Sequence, residues 1–156
     1  MTAVADVQAR TVHATVEIAA TPDAVFRALT DPDELARWWG SPELYQTHDW
    51  TLDLRPGGRW SCQARSAEGT GEVRGEVLAV DPPRLLEVSW EPSWEEYKRS
   101  IIRYTLEKVP GGTRLSLFHK GLPSEESTKG HGEGWTRVLG WLVARLAGTG
   151  AARSSA

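Results

Sequence analysis

Only one of the 156 residues is cysteine, Cys62, so the chain forms no internal disulfide and no cysteine-rich zinc site. No apolar run approaches the ~20 residues that a helix needs to cross a bilayer. An excess of one charge is missing too. The formal net charge is −3, with both signs scattered along the chain, which leaves no basic stripe for a nucleic acid. The opening residues MTAVADVQAR have no basic segment followed by an apolar core, so they do not read as a secretion signal, and the expected location is the cytoplasm. Phenylalanine and tyrosine are scarce, with two and three copies, yet there are eight tryptophans. Large rigid rings fill a core or line a pocket equally well.

The same thinness extends to catalytic motifs. No Gly-x-Ser-x-Gly elbow is present to expose a serine nucleophile. Gly57-Gly58 lies between two strand-like segments, and Gly130-x-Gly132-x-Gly134 precedes a helix without a strand before it; neither is a phosphate cradle. The glycines of the second pattern are expected to loosen the first turns of that helix. His119 and His131 lie twelve residues apart on different elements, and His48-Asp49 are strand neighbours pointing to opposite faces. Neither spacing makes a metal site. No metal, cofactor or catalytic residue is assigned.

Hydrophobic periodicity supplies what the motifs do not. Trp135, Leu139, Leu142 and Leu146 recur at helical spacing and form one apolar face of a C-terminal helix. Val12–Ala19 alternates like a half-buried strand. Thr21-Pro22 and Asp31-Pro32 each open a short helix, with Asp31 and Glu34 spaced as a capping box. Strand patterns follow at Asp49–Leu54, Arg59–Arg65, Gly71–Val80, Leu85–Trp90, Arg99–Glu107 and Thr113–Lys120. The predicted order is one strand, two short helices, six strands and a long helix. Residues 1–10 and 148–156 are small and polar and are expected to be disordered, leaving 11–147 as a single domain. A helix with one apolar face must lay it on something, and the sheet is the available surface.

Four segments carry a family resemblance: Ala20-Thr21-Pro22-Asp23-Ala24-Val25-Phe26 to Trp38-Trp39; Asp53-Leu54-Arg55-Pro56-Gly57-Gly58-Arg59-Trp60; Gly75-Glu76-Val77 through Asp81-Pro82-Pro83-Arg84-Leu85 to Trp90; and Thr113–His119 followed by Gly134-Trp135. In their order and spacing the chain resembles the SRPBCC (START/Bet v 1-like) superfamily, in the branch related to the C-terminal domain of the Hsp90 ATPase activator. The resemblance spans roughly residues 11–147. It implies an α+β helix-grip fold: a bent antiparallel sheet wrapped around a long C-terminal helix, with a cavity between them. It leaves function open, since relatives include binders of lipids, sterols, hormones or polyketides, cyclases and aromatases, and Hsp90 partners.

Alternation places Trp50, Leu52 and Leu54 on one face of their strand. Trp60, Cys62 and Ala64 form a second such set, Leu86, Val88 and Trp90 another, and Leu115, Leu117 and His119 another. The expected function is therefore to bind a small hydrophobic or aromatic molecule between sheet and helix. Trp38, Trp39, Trp60, Trp90, Trp135 and Leu139 are expected to give apolar contact, and His119 a polar handle. A polyketide cyclase or aromatase using His119 as acid-base group is the alternative, and a chaperone-interacting module a third. Other expected partners are a possible second copy of the chain, no nucleic acid and no membrane span. Cys62 reads as a small buried hydrophobe. Glu95-Glu96 reads as part of a solvated loop, with Trp94 a lid or a partner contact.

Overall fold

The computed structural model describes the backbone of residues 3–155 and the side chains of residues 3–147. Nine strands form a single antiparallel sheet: β1 (Val4–Asp6), β2 (Thr11–Ile18), β3 (Gly40–Ser41), β4 (Tyr45–Leu52), β5 (Arg59–Ser66), β6 (Gly69–Asp81), β7 (Leu85–Pro92), β8 (Ser100–Val109) and β9 (Gly112–Lys120). Their order across the sheet is β1-β2-β9-β8-β7-β6-β5-β4-β3. Between β2 and β3 lie the short helices α1 (Pro22–Thr30) and α2 (Pro32–Trp38), and the long helix α3 (Glu125–Ser155) closes the fold. This is the helix-grip arrangement, and it is α+β.

The helix starts follow the local chemistry. Thr21 caps α1 by accepting from the Ala24 N–H, and Asp31 caps α2 by accepting from the Asp33 N–H. The reciprocal half of the capping box does not form. Asp31 also ends α1, so its own N–H goes to the Arg27 carbonyl. Glu34 pairs instead with Arg37 and with Arg145 of α3.

One face of the sheet packs on α3 through Trp135, Val138, Leu139, Leu142 and Leu146, all buried. Leu139 and Leu142 are almost wholly removed from water, a burial that stabilises by roughly 1.5–3 kcal/mol for each side chain. Opposite them, Val12, Ile102, Leu115 and Leu117 complete the core.

Three local expectations are corrected. Residues 4–6 are ordered as β1, which pairs with β2. Gly132 of α3 leaves room for Ala5 to approach, and Thr136 Oγ1 accepts from the Ala3 N–H at 3.0 Å. The expectation for 148–156 falls on side chains outside the described residues. Leu54 lies beyond the end of β4, in the turn that leads to β5, and is exposed; upstream of it Asp49 takes φ 53°, where the register against β5 shifts between His48 and Thr51. Such a bulge adds a residue to β4 just ahead of that face. Finally, α3 begins at Glu125, so the three spaced glycines lie within the helix and not before it.

Candidate functional site

Six of the eight tryptophans form a continuous cluster between the sheet and α3. Trp39 is its hub, with ring centroids 5.2 Å from Trp38, 5.5 Å from Trp50, 6.1 Å from Trp90 and 5.7 Å from Trp135. Trp60 joins through Trp50 at 6.1 Å and Trp90 at 5.9 Å. The sequence brings them there by three routes: the C-terminal end of α2, the inward alternation of β4, β5 and β7, and the apolar face of α3. Most of their N–H groups are internally satisfied. Trp38 donates to the Ala28 carbonyl, Trp60 to the Ser89 carbonyl and Trp50 to Thr47 Oγ1.

Against this cluster opens a cavity of about 910 Å³ between β4–β7 and α3. Trp39, Trp50, Trp90 and Trp135 line it with Val73, Cys62 and Val138, and Tyr45, Arg65, Arg137, Glu95, Ser127 and His131 supply polar groups. Of the seven residues expected at a binding site, Trp39, Trp90 and Trp135 line this cavity. Trp38, Trp60, His119 and Leu139 do not; they stand behind the wall as buried support.

His119 is completely buried, and both of its ring nitrogens are engaged. Trp135 Nε1, which only donates, gives its hydrogen to His119 Nδ1 at 3.0 Å. In the neutral ring Nε2 then carries the proton and donates to Ser100 Oγ at 2.6 Å, while Ser100 turns its own hydrogen to the Trp90 carbonyl. The chain of donors has one direction and no vacancy. Burial, and secondarily the neighbouring His131, push the pKa of His119 well below the ordinary histidine value.

His131 is the histidine that faces the cavity. Its Nε2 accepts from Trp90 Nε1 at 3.1 Å, so Nδ1 holds the proton and donates to the Ser127 carbonyl at 2.8 Å. The two histidines thus carry opposite tautomers, with ring centroids 5.1 Å apart. Ser127 gives its hydroxyl hydrogen to Glu95. This Ser-His-Glu cluster is not wired as a nucleophile and base: the histidine lone pair faces Trp90, away from the serine hydroxyl. Sequence reading weighs His131 only as a metal ligand, although it sits four residues before Trp135 and therefore on the same helix face. Glu95 was read as solvated, yet the single 3-10 turn Ser93–Glu95 directs it at α3.

Trp94, on the same turn, is 57% exposed at the cavity mouth. Its ring lies over Gly71, where an added Cβ would come within 3.1 Å of it. Cys62 is buried, and burial pushes its thiol up to about 12. Among the described residues no group of histidine, cysteine, aspartate and glutamate is placed to hold a metal ion, and no helix is long and apolar enough to cross a membrane.

The model of the family described as Activator of Hsp90 ATPase homolog 1-like protein matches residues 19–147. The chain belongs to this family. Those residues run from the end of β2 through the cavity-facing half of α3, so the family match contains the whole cavity. Among solved structures, the AHSA1 protein of Silicibacter pomeroyi is 32% identical, covering 88% of this chain and 97% of that one, with a TM-score of 0.73. A Mycobacterium smegmatis protein is 25% identical over 94% of this chain and 96% of its own, with a TM-score of 0.78. An Arthrobacter aurescens protein has the same fold at 21% identity, a TM-score of 0.80, and coverage of 94% and 91%. Comparison with curated proteins gives no match. As an AHSA1-like protein, the chain shares the superfamily's helix-grip frame, and its own tryptophans furnish the interior.

Proposed function

We propose that this AHSA1-like protein binds a small hydrophobic or aromatic molecule in the cavity between the sheet and α3. The observation that carries the reading is the wall itself: four indoles, from α2's C-terminal end, β4, β7 and α3, converge on about 910 Å³ of space. That volume lies within the ~300–1,000 Å³ range usual for small-molecule sites. Apolar contact is the main source of affinity there, and planar ligands gain further from stacking on the rings. The cyclase-like alternative needs a histidine nitrogen free to exchange a proton with substrate. His119 offers none, since Trp135 and Ser100 occupy both. The family's name connects it to a chaperone ATPase, but the cavity gives no observation in favour of that partner.

The test is native mass spectrometry of the protein purified gently from its host, followed by the same measurement under denaturing conditions. A discrete added mass that disappears on denaturation is the expected result. Failure of native protein to carry any mass, and to bind an added apolar fluorophore such as 1-anilinonaphthalene-8-sulfonate, would overturn the reading.

A further inference from the structure

We propose that the end of the cavity bounded by Glu95, Ser127 and Trp94 is a subsite for a protonated amino group, so that the ligand is an apolar or aromatic amine. This rests on the binding reading above and narrows it to one chemical class.

An inventory of donors and acceptors supplies the first argument. At this end the Trp90 N–H is given to His131, the His131 Nδ1–H to the Ser127 carbonyl, and the Ser127 hydroxyl hydrogen to Glu95 Oε2. Each of these donors is spent inside the wall. Glu95 Oε1 accepts no hydrogen bond from any described residue, and a carboxylate has acceptor sites for several. The open Glu95 Oε1 is thus a place for a donor that the ligand brings.

Charge supplies the second argument. Glu95 is half-buried, and Glu126, exposed on the first turn of α3, lines the same cavity. Neither carboxylate takes part in an ion pair among the described residues. An ammonium group gives Glu95 the cation that the protein does not, in surroundings partly screened from water where the attraction is stronger than in bulk. Trp90 and Trp94 line the same cavity, and indole faces attract cations. Arg65 and Arg137 also line the cavity, but Arg137 follows Ser127 by ten residues, about 15 Å along the helix at its usual rise. Arg137 therefore acts at the far end, and Arg65, exposed on β5 opposite Thr70, forms no ion pair with Glu95 among the described residues.

Three probes of matched shape test the idea: 1-naphthylmethylamine, 1-methylnaphthalene and 1-naphthoate, each titrated into the full chain while the indole N–H signals are followed by NMR. The amine is expected to bind at least tenfold more tightly than either of the others. Glu95→Gln keeps an oxygen for Ser127 but removes the charge, and is expected to abolish the amine's advantage while leaving 1-methylnaphthalene unchanged. Equal affinities for amine and hydrocarbon, or tighter binding of the carboxylate, would overturn the amine subsite and leave the apolar site standing. Failure of all three to bind would overturn both. Because the ranking is read on the wild-type protein first, the result does not depend on the variant folding.

Discussion

Two histidines 5.1 Å apart illustrate how little a residue's identity says about its work. His119 is locked as a neutral acceptor for Trp135 and donor to Ser100, so any proton added to it must displace a tryptophan N–H in a buried site. Its pKa is depressed in the folded state, while the unfolded chain keeps the ordinary value near 6.5. Above that value neither state is charged and His119 adds no pH dependence. Below it, the unfolded state takes up a proton that the folded state refuses, and stability falls by up to ~1.4 kcal/mol per pH unit for one such proton. Denaturant melts between pH 8 and pH 5 check this: the fall is expected to persist in Trp135→Phe, because burial is its main cause. At neutral pH that variant leaves a buried acceptor without its donor, a loss of about 1–3 kcal/mol. Cys62 gives a second prediction. Buried, with its thiol pushed up to about 12, it remains unreactive to 5,5′-dithiobis(2-nitrobenzoate) in the folded protein and reacts at once in denaturant.

Helix α3 presents three glycines in its first half with different consequences. A Cβ on Gly132 would stand 3.0 Å from the Ala5 Cβ, whereas Gly130 and Gly134 have nothing within 4 Å, and the same is true of Gly140 further along. Gly140→Ala is therefore expected to stabilise by up to ~1 kcal/mol through helix propensity alone, read as a rise in thermal midpoint. Gly132→Val should do the opposite by pushing β1 off the helix, with faster hydrogen exchange at the amides of residues 4–6 as its signature. The main elements were legible because their signals are local: Thr21 and Asp31 before proline, period-two alternation in β2, β5 and β9, and the Trp135–Leu146 stripe. Strand β1 was not, since three residues carry no periodicity and their order comes from Gly132 and Thr136, more than 125 positions away. The bulge at Asp49 was equally hidden, because a positive φ at aspartate has no fixed spacing signal.

At the scale of the molecule, the sheet and α3 meet tightly at one end and part at the other. Leu139 and Leu142 fill the tight end, so Leu142→Ala is expected to cost about 2–5 kcal/mol in chemical denaturation. Val138 sits where the layers part and lines the cavity. Val138→Trp should occupy that space, abolishing binding of 1-methylnaphthalene while the far-ultraviolet circular dichroism stays native. Retained binding would mean the ligand lies elsewhere, and the outer-face groove of about 320 Å³ beside Phe118 would be the place to look.

By itself the sequence determined the order of strands and helices, the apolar face of α3 and the inward set of tryptophans, because each follows from caps, turns and a repeating period that neighbouring residues enforce, while the helix-grip frame was what the family resemblance implied. It also carried the family, through four short segments kept in order. Only the tertiary structure decided which tryptophans touch open space and which stand behind them, since Trp38 and Trp39 are adjacent in the chain yet only Trp39 lines the cavity. The exchange of roles between His119 and His131 belongs to the same level. A hydrogen-bond direction depends on which donor arrives from another element, here Trp135 for one ring and Trp90 for the other, and a cavity is the space left when distant side chains fail to meet.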